Sequence, residues 1–402
     1  MFEKKANLRL YCKSMPLSER KAVDIYESLV GDDAGFILES YDEGYDRFTI
    51  IGAKPVSYVS SRGMSLVITD TRDGSECIIE GNPRDSLKNL VKDIRLEKPD
   101  DFEGFSGGLA GCLGYDFIRY TESFPDDNPD PIDIETVQLF LVMKYIMLDQ
   151  KKKLIYAVVI DDDKPSHEEA AYAECIEMLE RVSKAGAQPE KEFIPDGRVT
   201  DHTDDLDSYT KKVEKIKHYI KEGHIFQTVL SQRWVMESGC DGFFLYRELR
   251  RLNPSPYLYY FNFKNKDDEK SFEVIGSSPE LIVKRKGDVV FTCPIAGTRK
   301  RGADKNEDER LKKELLSDEK ELCEHVMLVD LARNDMGRIA EFGSVKVSEF
   351  EVIKEYSHVM HIVSLVEGKV ENSFDAVDLL SSFLPAGTLS EIGRAHVCTP
   401  VT

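Results

Sequence analysis

TVQLFLVMKYIMLDQKKKLIYAVVIDD, residues 136–162, sets two apolar runs on either side of a polar turn at residues 149–152. Two strand-length runs around a short polar segment read as a hairpin. SLVITDTRDGSECIIE, residues 65–80, repeats the pattern and pivots on Asp73 and Gly74. Consecutive hairpins mean antiparallel sheet, because parallel strands need a crossover of a dozen or more residues.

Outward from these hairpins, residues 167–186 carry apolar residues at helical spacing and close on Gly186. Residues 183–206 are polar and turn-rich and read as a linker. Beyond it lies a helix at 207–224, with Val213, Ile216 and Ile220 on one face and Gly223 at its end. A strand at 225–236, a helix at 242–253, strands at 256–263 and 272–277 and a hairpin at 280–293 follow. Two helical stretches, 306–335 and 374–385, flank a further strand-like pair. No βαβ rhythm and no internal repeat is present. The expected class is α+β, with antiparallel β-sheets flanked by helices. The expected domains are 1–182 and 207–390, joined by the linker 183–206.

A chain of 402 residues exceeds the usual size of one hydrophobic core, which fits two domains. A formal net charge of −20 argues against nucleic acid or an anionic membrane as partner, since phosphate would be repelled. The most apolar run, residues 139–148, is interrupted by Lys144 and falls short of the roughly 20 apolar residues of a membrane span. The N-terminus lacks the apolar core of a signal peptide. Eight cysteines lie far apart in the chain and form no CxxC pair, so reduced thiols and a cytoplasmic location are expected.

Glu321 and Glu324 stand i,i+3 within DEKELCEHVMLVD, which puts both carboxylates on one side of a helix. Such a pair suits a hard cation such as Mg²⁺, although a solvated acidic face is the ordinary reading of two glutamates. The segment after Glu324 is too apolar for a surface strip, so that carboxylate is expected at an edge of the core. His361 alternates with apolar residues in EYSHVMHIVS; it has the pKa of a general acid, and a satisfied core histidine is the bland alternative. Gly297 and Thr298 in PIAGTRKRG, and Thr388 in AGTLS, offer N–H and hydroxyl groups to an anion, a weak signal by itself. No nucleophilic triad or phosphate-binding loop is present.

Taken together, FILESYDEGYDRFTIIG, GGLAGCLGYDFIRYTESFP, GHIFQTVLSQRW, NPSPYLYYF, VIGSSPELIV, PIAGTRKRG, ELCEHVMLVDLARNDMGRI, YSHVMHIVS and LPAGTLS closely resemble the chorismate-utilising enzymes, in particular the anthranilate synthase component I family, in that family's order. The resemblance spans nearly the whole chain to Ser390. It implies the family's fold and a Mg²⁺-dependent reaction of chorismate with ammonia, supplied by a glutamine amidotransferase partner, that gives anthranilate and pyruvate for tryptophan biosynthesis. It implies Glu324 as a Mg²⁺ ligand and Glu321 as a carboxylate near the departing hydroxyl. His361 and Thr388 would contact the ring substituents, and Gly297 and Thr298 would line the carboxylate side. Glu39 and Ser40 of LES, with Pro256, Tyr257 and Leu258, resemble the family's tryptophan feedback site.

Ala296 stands where common aminodeoxychorismate synthases carry a lysine, and Gln227 stands where isochorismate synthases carry one. Both favour anthranilate synthase. Aminodeoxychorismate synthase component I is the first alternative; a chain that only binds tryptophan or a partner subunit is the second. The string EIGRAHVCTPVT, residues 391–402, does not continue the family's pattern and resembles translated sequencing-adapter read-through. It is expected to be a foreign tail on a chorismate-binding region truncated after Ser390, leaving strands unpaired and the chain itself inactive.

Overall fold

The computed structural model describes residues 7–17, 21–40, 48–92, 94–123, 125, 128–186, 197–225, 228, 230–263 and 271–385. Two compact units emerge. The first comprises the described residues of Met1–Glu190, Gly242–Pro279 and Asp375–Val377, and the second those of Lys191–Asp241, Glu280–Phe374 and Asp378–Thr402.

In the first unit an eight-stranded sheet runs in the order Phe272–Ser278, Tyr257–Phe263, Gly35–Ser40, Phe48–Ala53, Lys144–Asp149, Leu154–Asp162, Asn7–Pro16, Arg95–Glu97. A five-stranded sheet runs Glu76–Glu80, Ser65–Asp70, Ser57–Arg62, Val137–Val142, Gly108–Leu113. The pairings are antiparallel, as the hairpins require, except that Arg95–Glu97 joins Asn7–Pro16 in parallel. The apolar run at 137–148 divides at Met143: its first half enters the smaller sheet, and its second half forms the expected hairpin in the larger one.

Alternation along each strand of the larger sheet separates two cores. Ile37, Ile146, Leu148, Leu258 and Tyr260 face the helices Ala22–Leu29, Pro165–Lys184 and Gly242–Leu252, meeting Ile25, Tyr26, Cys175, Phe243 and Tyr246. Phe36, Tyr145, Met147, Phe261 and Phe263 face the other way and pack with Phe140 and Leu141 of the smaller sheet. Each fully buried ring or branched chain contributes about 1.5–3 kcal/mol, so the sandwich and the helical layer are both firmly held.

Residues 242–279 therefore belong with the N-terminal unit and not, as their position after the linker suggested, with a second domain. Their strand Tyr257–Phe263 finds its ladder partner in Gly35–Ser40. Among the described residues of the strand expected at 225–236, the strand Trp234–Glu237 is the part in a ladder, and it pairs with Arg198–His202 inside the expected linker.

The second unit holds a sheet in the order Leu281–Lys286, Val289–Cys293, Val359–Lys369, Ile295–Lys300, with Lys346–Glu355 along the other side of Val359–Lys369. The sheet is open, and Leu281–Lys286 lies at one edge among the described residues. The helical stretch 306–335 is two helices, Lys305–Leu315 and Glu319–Gly337, because the Asp318 carboxylate accepts from the N–H groups of Lys320 and Glu321 and starts the second. Met360 and Ile362 pack on Leu311, Leu315 and Leu322, and Val366 on Val329, Ala332 and Met336, so both helices cover one face of the sheet.

Candidate active site

The second unit gathers most of the residues singled out above. Ile295–Lys300 pairs with Val359–Lys369 through a register shift between Ala296 and Thr298, and Gly297 is the extra residue, at φ +64°. A bulge of this kind favours glycine, which adopts left-handed backbone without strain. Space demands it as well: a methyl group on Gly297 would stand 3.1 Å from Leu315 Cδ1, 3.2 Å from Ile362 Cδ1 and 3.4 Å from Glu321 Cβ.

The bulge turns the Gly297 carbonyl toward His361, whose Nδ1 lies 3.0 Å from it and 3.0 Å from Thr298 Oγ1. A carbonyl only accepts, so Nδ1 carries the proton and Nε2 is the nitrogen left for chemistry. Burial pushes the His361 pKa below its ordinary value, opposed by the bond to Gly297, so the ring is mainly neutral near pH 7. His361 was expected as an acid or donor; in this tautomer Nε2 accepts, and it donates only after taking up a proton.

Met360, Ile362, Ser364 and Val366 alternate toward the helices, whereas His361 and its cross-strand neighbour Thr298 occupy the alternate positions. Glu321 approaches the bulge from the helix side. Glu324 lies one turn further along Glu319–Gly337, half-buried as expected. Among the described residues no group of three or more His, Cys, Asp or Glu is arranged to hold a metal. The two carboxylates of Glu321 and Glu324 nonetheless fit a cation that takes one or two protein ligands and completes its shell with water and substrate oxygens. Thr388 lies outside the described residues, as do Gln227 and the tail 391–402.

Other groups fix this frame without having stood out in the sequence. Arg299 binds Asp318 at 2.8 Å and Glu314 at 3.0 Å, tying the bulged strand to both helices and holding the Asp318 carboxyl below its usual range. Arg301 binds Asp308 at 2.6 Å and Glu355 at 2.7 Å. His325, fully buried, sits with Nε2 2.6 Å from Ser364 Oγ, and that oxygen also accepts from the Glu351 N–H. Desolvation lowers the His325 pKa to about 4. The one available signal was the N-cap pattern at Asp318.

In the first unit the residues of the expected tryptophan site fall on two faces. Glu39 pairs across the ladder with Leu258, and Ser40 with Tyr257. Neighbours in a strand point to opposite sides, so Glu39 and Leu258 join the helical layer while Ser40 and Tyr257 face the sandwich. The Glu39 carboxylate is enclosed there: Arg250 grips it through Nε at 2.6 Å and Nη2 at 3.0 Å, and Tyr246 donates to it at 2.6 Å. Ser40 Oγ is buried with no hydrogen-bond partner among the described residues. No helix of the described residues is long and apolar enough to cross a membrane.

The chain matches the family of chorismate binding enzymes over residues 39–396. It is 37% identical over 388 residues to anthranilate synthase component 1 of Acetivibrio thermocellus, covering 92% of this chain and 75% of that protein. It is 34% identical over 383 residues to aminodeoxychorismate synthase component 1 of Bacillus subtilis, covering 94% and 78%. Among solved structures, anthranilate synthase component I from Streptococcus pneumoniae superposes with a TM-score of 0.72 at 33% identity, covering 88% of this chain and 75% of that one.

Proposed function

Since the chain belongs to the chorismate-binding enzyme family, we propose that it acts as the large subunit of an anthranilate synthase in the cytoplasm, converting chorismate and ammonia to anthranilate and pyruvate. The observation that carries this reading is the cluster of Gly297, Thr298 and His361 with Glu321 beside it. A substrate carboxylate bound at the bulge would meet the Thr298 hydroxyl. His361, with Nδ1 committed to Gly297, would hold a ring hydroxyl or take a proton at Nε2. Glu321 would serve as the acid/base carboxylate at the departing hydroxyl, and Glu324, with Glu321 adjoining, would hold Mg²⁺. When bound, the ion supplies Lewis acidity at a substrate oxygen. Ammonia would come from a glutamine amidotransferase partner. Tryptophan would be sensed on the sandwich side of the first unit, where Tyr257 lies beside the Ser40 hydroxyl, which has no hydrogen-bond partner among the described residues, while Glu39 holds the helical layer.

The test is thermal unfolding with Mg²⁺, with chorismate and with both, because any ligand that binds only the native state raises Tm. The two together should stabilise the parent most, and Glu324→Gln should lose the Mg²⁺-dependent part while keeping the rest. An unchanged Mg²⁺ response in that variant would sink the ligand assignment. Aminodeoxychorismate synthase is the second reading, supported by the Bacillus subtilis relative. Ala296, which has no amino group, weighs against its lysine-dependent form. The products separate the two: anthranilate with pyruvate, or an amino-deoxy product that keeps its enolpyruvyl group.

A further inference from the structure

His325 has no part in the reading above, yet it stands where a helix of the second unit meets the central strand of the sheet. Helix Glu319–Gly337 lays Leu322, Val329, Ala332 and Met336 on that sheet. His325 follows Leu322 by three residues and precedes Val329 by four, so it falls in the same stripe, and it is fully buried there. Its Nε2 lies 2.6 Å from Ser364 Oγ. Its Nδ1 is buried with no hydrogen-bond partner among the described residues. Buried polar groups are normally satisfied, so packing is a poor reason for a ring that leaves one nitrogen unmet in an apolar stripe. Leucine would fill the place without that cost.

Ser364 is itself fixed from both sides of its strand. Its N–H donates to the Pro294 carbonyl at 3.2 Å, just ahead of the bulged strand Ile295–Lys300. Its Oγ accepts from the Glu351 N–H at 3.0 Å. Glu351 lies at a second bulge, where the register along Lys346–Glu355 shifts between Glu349 and Val352, and its φ of +54° is left-handed backbone that a glutamate seldom adopts. The bond from His325 therefore ends on an oxygen whose place is set by its own strand and by the chain on either side.

Apolar packing is non-directional and lets a helix roll or slide by small amounts, whereas a hydrogen bond fixes distance and angle. Glu321 precedes His325 by one turn, with its Cβ 3.4 Å from where a methyl on Gly297 would stand, and Glu324 is the immediate neighbour of His325. We propose that His325 is a positioning residue: its bond to Ser364 sets the rotation and height of Glu319–Gly337 on the sheet and so aims Glu321 and Glu324 at the Gly297 bulge. Mg²⁺ demands near-ideal geometry of its ligands, so even a small roll of the helix weakens a site built on them. That these carboxylates hold Mg²⁺ rests on the function proposed above; the setting of the helix does not.

The experiment compares the parent with His325→Leu, which fills the place without a bond, and with His325→Gln, whose amide can reach Ser364 as Nε2 does. His325→Leu should keep the parent's urea midpoint, because Ser364 retains its bond to the Glu351 N–H. The Mg²⁺ affinity of the full chain, titrated by calorimetry at saturating chorismate, should fall about tenfold or more in His325→Leu and be largely restored in His325→Gln. Ser364→Ala should lose as much, and the double variant no more than either single one. Crystal structures of the parent and of His325→Leu without Mg²⁺ supply the second measurement: the helix should be rolled or slid against Val359–Lys369, carrying Glu321 away from Gly297. A helix that superposes on the parent's overturns the proposal whatever the metal does. So does His325→Leu with the parent's Mg²⁺ affinity, or His325→Gln that restores nothing. A parent that binds no Mg²⁺, beside a displaced helix in His325→Leu, would remove the metal reading and uphold the positioning role.

Discussion

Glu39 shows how far a single side chain's surroundings can redirect its role. Its carboxylate is 3% exposed and accepts two bonds from Arg250 and one from Tyr246, so its charge is fully answered within the protein. Removing one partner of a buried ion pair leaves the other charge uncompensated, which costs far more than the pair contributes. Glu39→Gln is expected to lower unfolding stability by about 3 kcal/mol, the lower end for such pairs because Arg250 is partly exposed. Tyr246→Phe, which deletes one bond to a charged acceptor, should cost about 1.5 kcal/mol. Urea unfolding monitored by circular dichroism measures both, and a Glu39→Gln variant as stable as the parent would refute the anchoring role.

At the scale of elements, the bulge at Gly297 and the helix after Asp318 depend on each other. Gly297→Ala would place a methyl in left-handed backbone and against Leu315, Ile362 and Glu321, so a loss of about 1–3 kcal/mol is expected, together with a weakened response to Mg²⁺ and chorismate. A fully retained Mg²⁺ response would show that the bulge does not govern Glu321. The helix Lys305–Leu315 makes a pH prediction. Arg301 and the Gly302 N–H hold the Asp308 carboxyl down to about 2, below its unfolded value near 4. A carboxyl lowered on folding stabilises above the unfolded pKa and loses that contribution as pH falls through the folded one. The stability advantage of the parent over Asp308→Asn should therefore be whole at pH 5 and vanish between about pH 4 and pH 2; an advantage constant with pH would show that the charge is not its source. Hairpins and helices were legible in the sequence because their signals are local: Asp73-Gly74 turns one hairpin, and Gly223 ends a helix. The site was legible as ingredients, Gly297, Thr298, Glu321, Glu324 and His361 alike coming from motifs. Its arrangement was not, since the extra residue at Gly297 appears only when Ile295–Lys300 is set against Val359–Lys369. The division of 306–335 into two helices was written at Asp318, but the charged residues around it continue the helical pattern and mask the break. No local signal marks the pairing of Arg95–Glu97 or the grip of Arg250 on Glu39, because both are made by distant parts of the chain.

Over the whole molecule the main departure from a linear reading is that the first unit takes in Gly242–Pro279, after a stretch that belongs to the second. A fragment of residues 1–190 would lack two strands of the larger sheet and the helix that answers Glu39, and would expose the edge of Gly35–Ser40. It is expected to aggregate or to melt without cooperativity, as seen by size exclusion and calorimetry; a monomer with a sharp transition would show that the N-terminal region closes without its later strands. The same interruption bears on synthesis. Glu39 leaves the ribosome 207 residues before Tyr246, and at 5–20 residues per second that delay is on the order of 10–40 seconds. Through that interval the nascent sheet has an open edge and an unanswered buried carboxylate, so it is the growing chain, more than the finished enzyme, that needs protection by chaperones.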